Sequence, residues 1–161
     1  MVILGIDPGI ATVGFGIIAA ADGRYGAIEY GAVITKPHQL LETRLCEIFD
    51  SVTELIERYK PDCMAIEELF FNINLKTAVD VCHGRGVILL AAAKKGLDVY
   101  EYTPLQIKQS VVGYGRAEKQ QVMYMTKLLL GLNETPKPDD TADALACAIC
   151  HANHMMHNYG R

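Results

Sequence analysis

The spacing of apolar residues changes along the chain from strand-like segments to helical repeats, and this order restricts the available folds. Residues 2–6, 11–20 and 27–35 are apolar or alternating segments joined by short turns, one of them at 22–26. This pattern predicts three strands in an antiparallel meander. From 39 to 59 apolar residues recur every three or four positions, which predicts an amphipathic helix of about six turns.

Strand and helix patterns alternate through the rest of the chain. Residues 63–67 and 97–102 are short apolar or alternating segments, and residues 75–95 form a helical pattern between them. Two further helices are predicted at 117–130 and 139–156. A meander followed by helix–strand alternation indicates an α/β fold with a five-stranded mixed sheet flanked by helices.

Within the predicted elements, two features suggest close packing. In the second strand Gly14 and Gly16 alternate, as expected where another backbone or a ligand approaches closely. The helix at 75–93 carries an apolar stripe that suits a core, part of which could pair two subunits; its members are Ala78, Val81, Val87, Leu90 and Ala91.

Length and composition indicate one domain. The chain has 161 residues, 50% of them hydrophobic, so a single globular domain spanning 1–161 is expected. No secretory signal or membrane-spanning stretch is evident, and the five scattered cysteines suggest reduced thiols in the cytoplasm. The net charge of -4 argues against a general binder of polyanions.

Four carboxylates stand out by their positions. Asp7 directly follows the first strand and Glu67 ends the fourth, while Asp140 and Asp143 share a face at the start of the last helix. If the first and fourth strands are neighbours, Asp7 and Glu67 meet at one edge of the core. The last helix then needs only to lay its first turn across that edge.

Carboxylates gathered in a small space must be protonated or neutralised by cations. Oxygen-only ligands suit Mg²⁺ or Mn²⁺ better than zinc. Two such ions are the usual apparatus for attack of water on a phosphodiester. The same residues also have a structural interpretation, because Asp7-Pro8-Gly9 is a good turn and acids in a first helical turn complement the helix dipole. Spacing alone leaves both interpretations open.

Five ordered segments resemble the RuvC family of bacterial Holliday-junction resolvases. They extend over nearly the whole chain: ILGIDPGIATVGFGII at 3–18, AIEELFF at 65–71, GRGV at 84–87, QIKQSVVGYGRAEKQQV at 106–122 and KPDDTADALACAICHA at 137–152. The resemblance implies a ribonuclease-H-like fold, which agrees with the element order. It also implies a crossover junction endodeoxyribonuclease that leaves 5′-phosphate and 3′-hydroxyl ends.

The resemblance assigns roles to the candidate residues. Asp7, Glu67, Asp140 and Asp143 fall on the family's four catalytic, metal-binding carboxylates. Glu68 and Asp139 fall on neighbouring positions without that role. Lys108 and Lys119 fall on lysines that the family needs for cleavage, where a cation offsets charge that develops in the transition state. The cofactor implied is Mg²⁺, with two ions per site and Mn²⁺ as a substitute.

Contacts with DNA are predicted for one aromatic residue and several cations. Phe70 falls on the family's aromatic near the junction centre, where it could stack on a base or wedge into the branch point. The candidates for phosphate contact are Lys76, Arg85, Lys108, Arg116 and Lys119. The chain departs from the usual family pattern at Ile73, where lysine is common, and at Cys82-His83-Gly84 in place of Gly-Gln-Ala.

The sequence therefore predicts a metal-dependent endonuclease that cuts four-way DNA junctions as a homodimer. The resemblance adds RuvA and RuvB, the branch-migration complex, as partners. Three alternatives stay open from the residues alone. The strand, turn and glycine-rich hairpin also begin actin-like ATPases and sugar kinases, a related nuclease could act on structured RNA, and a junction-binding protein could lack catalysis.

Overall fold

The computed structural model describes the backbone of residues 1–69 and 75–159 and the side chains of 1–69 and 78–156. The strands are β1 (Val2–Asp7), β2 (Thr12–Ala21), β3 (Arg24–Ile34), β4 (Cys63–Glu67) and β5 (Asp98–Tyr102). The helices are α1 (Leu41–Tyr59), α2 (Leu75–Lys94), α3 (Pro104–Val112), α4 (Lys119–Leu129) and α5 (Asp139–Tyr159). None of the described helices is long and apolar enough to cross a bilayer.

The strands form one mixed sheet in the order β3-β2-β1-β4-β5. The first three are antiparallel neighbours, whereas β4 is parallel to β1 and β5 is parallel to β4. The predicted meander, the mixed sheet and the adjacency of the first and fourth strands are all confirmed. The parallel direction of β4 follows from the helical crossover α1, which is long enough to return the chain to the same end of the sheet.

Alternate residues of the central strands face two different helical layers. Leu4, Ile6 and Ile17 pack with α1 and α2 in one core. The other face is covered by α3, α4 and α5, and α5 lies directly on the sheet. A buried histidine, His151, links α5 to the sheet through contacts with the Cys63 sulfur (3.1 Å) and the Tyr102 hydroxyl (2.7 Å).

One predicted boundary was wrong, and one helix was not predicted. The turn between β2 and β3 is only Asp22-Gly23, both with positive φ, so the residues from 24 to 26 belong to β3 and not to a turn. Such a two-residue hairpin turn matches the strand twist. The helix α3 was missing from the prediction, although Thr103, Pro104 and Gln106 carry its start signal: Thr103 caps it in a capping box, with proline at the first helical turn.

Candidate active site

Asp7 and Glu67 lie side by side on the sheet face that α5 covers. The pairs Ile3↔Cys63 through Ile6↔Ile66 fix the register of β1 and β4, so their last residues, Asp7 and Glu67, are adjacent. Because side chains alternate, Asp7 faces the same way as Ile3 and Glu67 the same way as Cys63, which both belong to the core under α5. The conditional expectation about these two acids is therefore met.

The helix α5 reaches this edge because the strands beneath it carry glycines. A Cβ atom on Gly14, the β2 partner of Asp7, would lie 2.0 Å from the Asp140 carbonyl oxygen. One on Gly5 would lie 2.1 Å from the Ala144 carbonyl oxygen. The prediction that Gly14 marks a close backbone approach is confirmed, and the approaching backbone is the first turn of α5. This contact brings Asp140, and Asp143 one turn later, to the edge that holds Asp7.

The acids repel one another electrostatically. Burial first, then the charges of Glu67, Asp143 and Asp140, raise the pKa of Asp7 from 3.8 to about 8. Burial and the charge of Asp143 raise the pKa of Glu67 from 4.5 to about 7. Burial also raises the pKa of Asp143, against the opposing effect of Lys119. Four acids from three separate elements, β1, β4 and α5, thus share one electrostatic environment.

Two lysines face these acids. Lys108 on α3 and Lys119 at the start of α4 line a cavity of about 190 Å³ together with Glu67 and Asp143, and the rest of its wall is apolar: Pro104, Ile107 and Val122. The Lys119 ammonium lies 3.0 Å from an Asp143 carboxylate oxygen and 3.4 Å from one of Asp139. Although burial lowers the pKa of Lys119, its hydrogen bond to Asp143 and the nearby carboxylates raise it overall, so it remains a cation.

The acids suit divalent metal ions by donor type and by charge. All are carboxylates, the ligands that Mg²⁺ and Mn²⁺ favour, and burial followed by repulsion between the acids raises the pKa of Asp7 and of Glu67, so a nearby cation would favour their charged forms. As the side chains stand, no three His, Cys, Asp or Glu residues in the described part of the chain form a ready-made metal site. Instead, the Lys119 ammonium pairs with the Asp143 carboxylate, so a metal ion would have to displace Lys119 from Asp143.

The remaining predicted DNA contacts are distributed unevenly. Arg116 is exposed in the loop before α4. Arg85 is mostly buried, with its side chain 16% exposed and paired with Glu101, so a phosphate contact by Arg85 stays a prediction that would require Glu101 to move. Phe70 lies outside the described residues, and the side chain of Lys76 lies outside the described side chains.

Sequence reasoning missed two features of the site. The helix α3, which holds Lys108 against Glu67, had a readable start signal in its capping box. The ion pairs of Lys119 with Asp139 and Asp143 had no such signal, because they depend on how α4 packs against α5. Glu68, expected to have no catalytic role, is exposed and lines a separate cavity with Arg85 and Glu101.

Comparisons with known proteins agree with this geometry. A family model described as "Crossover junction endodeoxyribonuclease RuvC" matches residues 3–151. The chain is 54% identical over 157 residues to the crossover junction endodeoxyribonuclease RuvC of Ruminiclostridium cellulolyticum, covering 97% of this chain and 95% of that protein.

Solved structures give the same assignment. The structure of Thermus thermophilus RuvC superposes with a TM-score of 0.91 at 37% identity, covering 98% of this chain and 97% of that one. Its complex with Holliday junction substrate gives a TM-score of 0.90 at 35% identity, covering 98% and 96%. These matches confirm the ribonuclease-H-like fold expected for resolvases. With agreement across nearly the whole length of both sequence and structure, the chain belongs to the RuvC family of crossover junction endodeoxyribonucleases.

Proposed function

We propose that this protein is an endodeoxyribonuclease that resolves four-way DNA junctions in recombination and repair by metal-dependent hydrolysis of phosphodiesters. The observation that carries the proposal is one small cavity at the edge of the sheet. Glu67 and Asp143 line it with Lys108 and Lys119, and Asp7 lies beside Glu67. Acids that can hold cations lie next to lysines that attract phosphate, and this combination suits phosphodiester hydrolysis. An ATPase or a catalytically idle binder would account for the arrangement less well.

Each carboxylate has a position that suits a ligand role. Asp7, at the end of β1, is half-buried and is affected by the charges of Glu67, Asp143 and Asp140. These four residues would hold the divalent ions, two Mg²⁺ or Mn²⁺ per site. When bound, such ions supply an activated water and neutralise the leaving oxygen. The four formal charges of the acids would then be balanced.

The lysines would act on the DNA. Lys108 lies close enough to lower the pKa of Glu67, and Lys119 contacts Asp143. If Asp143 held a metal ion in place of Lys119, the Lys119 ammonium would be free to contact a phosphate oxygen and offset charge that develops there. The overall negative charge of the chain is compatible with this function, because the local cations and not the net charge face the DNA.

The proposal includes a homodimer, because a symmetric junction needs two cuts and each chain has one site. Exposed positions of α2 recur at alternating intervals of four and three residues, the spacing that packs one helix against another: Val79, His83, Gly86, Leu90 and Ala93. Leu90 of the predicted stripe is 52% exposed, whereas Ala91 is buried. We place the dimer contact on this face.

The remaining assignments are also proposals. We assign the whole of 1–161 to one nuclease domain that works in the cytoplasm, in agreement with free thiols at all five cysteines. RuvA and RuvB are the proposed partners, since a branch-migration complex supplies the junction that this nuclease would cut.

The deciding experiment measures cleavage of a synthetic four-way DNA junction in Mg²⁺, with linear duplex and structured RNA as substrate controls. The parent chain should cut the junction in pairs and leave linear duplex intact. Asp7→Asn should bind the junction and show no cleavage above background. Asp50→Asn, an exposed acid on α1, is the matched control and should cut at the parental rate. Preferential cutting of RNA, or ATP turnover without DNA, would replace the proposal with one of the other two enzyme classes.

A further inference from the structure

An exposed apolar surface borders the lysine side of the catalytic cavity. It consists of Leu105, Tyr114, Gly115 and Arg116 and is called here the Leu105–Tyr114 ledge. The Leu105 side chain is 59% exposed at the start of α3, and Tyr114 is 47% exposed in the loop between α3 and α4. Neither belongs to the hydrophobic core, so both side chains are accessible to a ligand.

The ledge is a defined surface because its parts are held together. Gly115 lies against Leu105 so closely that a Cβ atom on Gly115 would be 2.2 Å from the Leu105 Cδ1 atom. The Tyr114 hydroxyl donates a hydrogen bond of 2.8 Å to the Gln121 side-chain oxygen. That oxygen also accepts from the backbone N–H of Glu118 in the capping box of α4. The Tyr114 ring is therefore anchored to the start of α4.

Cations lie next to the ledge. Lys108 follows Leu105 by one helical turn on α3 and lines the catalytic cavity together with Pro104. Lys119 lies two residues before Gln121, and Arg116 is exposed within the ledge itself. None of the ion pairs formed by the described residues involves Arg116. An apolar surface with a tyrosine ring, flanked by cations, is the combination that binds a nucleic acid strand by stacking a base and pairing its phosphates.

We propose that the Leu105–Tyr114 ledge binds the nucleobase next to the phosphate being cut, with Tyr114 stacking on the base and Arg116 contacting the backbone. The inference rests on the proposed function, because the cavity beside the ledge has to hold the phosphate. Stacking on an aromatic ring requires a base that has left its neighbours, and an unpaired or distorted junction arm offers one. The ledge thereby favours junctions over intact duplex.

The first test uses substitutions on the ledge. Tyr114→Ala should weaken junction binding or cleavage by about 5- to 100-fold, the range that loss of one base-stacking aromatic gives. Tyr114→Phe keeps the ring and should stay within about threefold of the parent. Tyr124→Ala is the matched control: Tyr124 is 58% exposed on α4, on the side opposite the buried Val122 and Thr126, and its loss should have no effect.

The second test detects stacking directly. The chain contains no tryptophan, so Tyr114→Trp introduces a single reporter whose emission is quenched by a stacked base. In an Asp7→Asn background, saturation with an uncut four-way junction should quench Trp emission at 114. The same experiment with Tyr124→Trp should show no quenching.

The outcomes separate the two levels of the proposal. If the Asp7→Asn chain fails to bind the junction and the parent chain fails to cut it, the proposed function is wrong. If binding and cutting occur but emission at 114 stays unchanged at saturation and Tyr114→Ala behaves like Tyr124→Ala, the ledge makes no base contact and this inference is wrong while the function stands.

Discussion

Asp7 lies where a negative charge is hard to keep, half-buried beside three other acids. Its pKa of about 8, against an ordinary value of 3.8, means that the metal-free protein holds a proton there at neutral pH. Glu67 behaves in the same way with a pKa of about 7. At the scale of single residues, the native protein therefore keeps a cluster of acids that needs either bound protons or a bound cation to offset its charge.

The raised pKa values of these acids predict how the free energy of unfolding depends on pH in the absence of metal. From about pH 4 upward the unfolded chain loses both protons, and by about pH 5.5 it has released nearly all of both, while the folded chain still holds them, so unfolding releases protons. The free energy of unfolding should therefore fall as pH rises from about 4 to about 8, by a few kcal/mol in total. Urea unfolding in EDTA at pH 6 and pH 8.5 measures this difference. Asp7→Asn should reduce the slope, and an unchanged slope would contradict the raised pKa of Asp7.

Adding metal should oppose the loss of stability that is expected at high pH. Because a ligand that binds only the folded state stabilises it, millimolar Mg²⁺ at pH 8 should raise the melting temperature of the parent chain. The rise should be smaller in Asp7→Asn and unchanged in Asp50→Asn. Equal stabilisation of the parent and Asp7→Asn would place the bound ion elsewhere.

Lys119 should matter more for cleavage than for binding. It contacts Asp143 and faces the cavity, so Lys119→Met would remove a cation beside the proposed position of the reacting phosphate. We expect the cleavage rate to fall by about 10²–10³-fold, as for loss of one electrostatic contact to a transition state, with junction affinity within about tenfold. Lys127→Met, in the last turn of the same helix, is the control. Loss of affinity to the same extent as rate would reduce Lys119 to a general phosphate contact.

At the scale of elements, the site depends on how closely α5 approaches the sheet. Gly5, Gly14 and Gly16 leave room for the helix backbone or for Leu145 where any side chain would collide. The acids of α5 reach Asp7 only because this contact is so close. The glycines thus connect sheet packing to the geometry of the acids.

A matched pair of glycine substitutions tests that connection. Gly14→Ala puts a Cβ atom 2.0 Å from the Asp140 carbonyl, so the helix must move. We expect a loss of about 1–3 kcal/mol in stability, as for overpacking elsewhere, and a reduced cleavage rate. Gly26→Ala on β3 has open space around it and should leave both unchanged. Urea unfolding and junction cleavage measure both effects, and a fully active, stable Gly14→Ala would contradict the close approach.

At the scale of the whole molecule, the described part of one chain has one cavity lined by both the acids and the lysines, whereas a four-way junction needs two cuts. Two copies joined through α2 would supply the second site. On the described part of that helix, the exposed Val79 and Leu90 are the largest apolar side chains on the repeating face. A dimer would remove both from water.

Charge introduced on this face should separate the subunits. Leu90→Lys is expected to convert a dimer to a monomer in sedimentation velocity and to replace paired cuts by single nicks. Leu128→Lys is the matched control, because Leu128 on α4 is also 52% exposed. A dimer that persists in Leu90→Lys would place the contact on another surface.

The sequence by itself determined the element types. A repeat of apolar residues every two or about 3.6 positions is a local property, because it can be recognised without knowing which elements pack together. It also marked Asp7, Glu67, Asp140 and Asp143 as candidate site residues, and the family resemblance suggested their roles. The helix at 104–112 was not predicted because its apolar repeat extends over few residues, although its capping residues, Thr103 and Gln106, were present.

Only the tertiary structure decided which groups meet. The adjacency of β1 and β4, the approach of α5 over Gly14, and the pairing of Lys119 with Asp143 all join residues far apart in the chain. So does the ledge, where the loop carrying Tyr114 returns to the side chain of Leu105. Each of these contacts depends on the distance and angle between packed elements, and a linear pattern of residue types contains neither quantity.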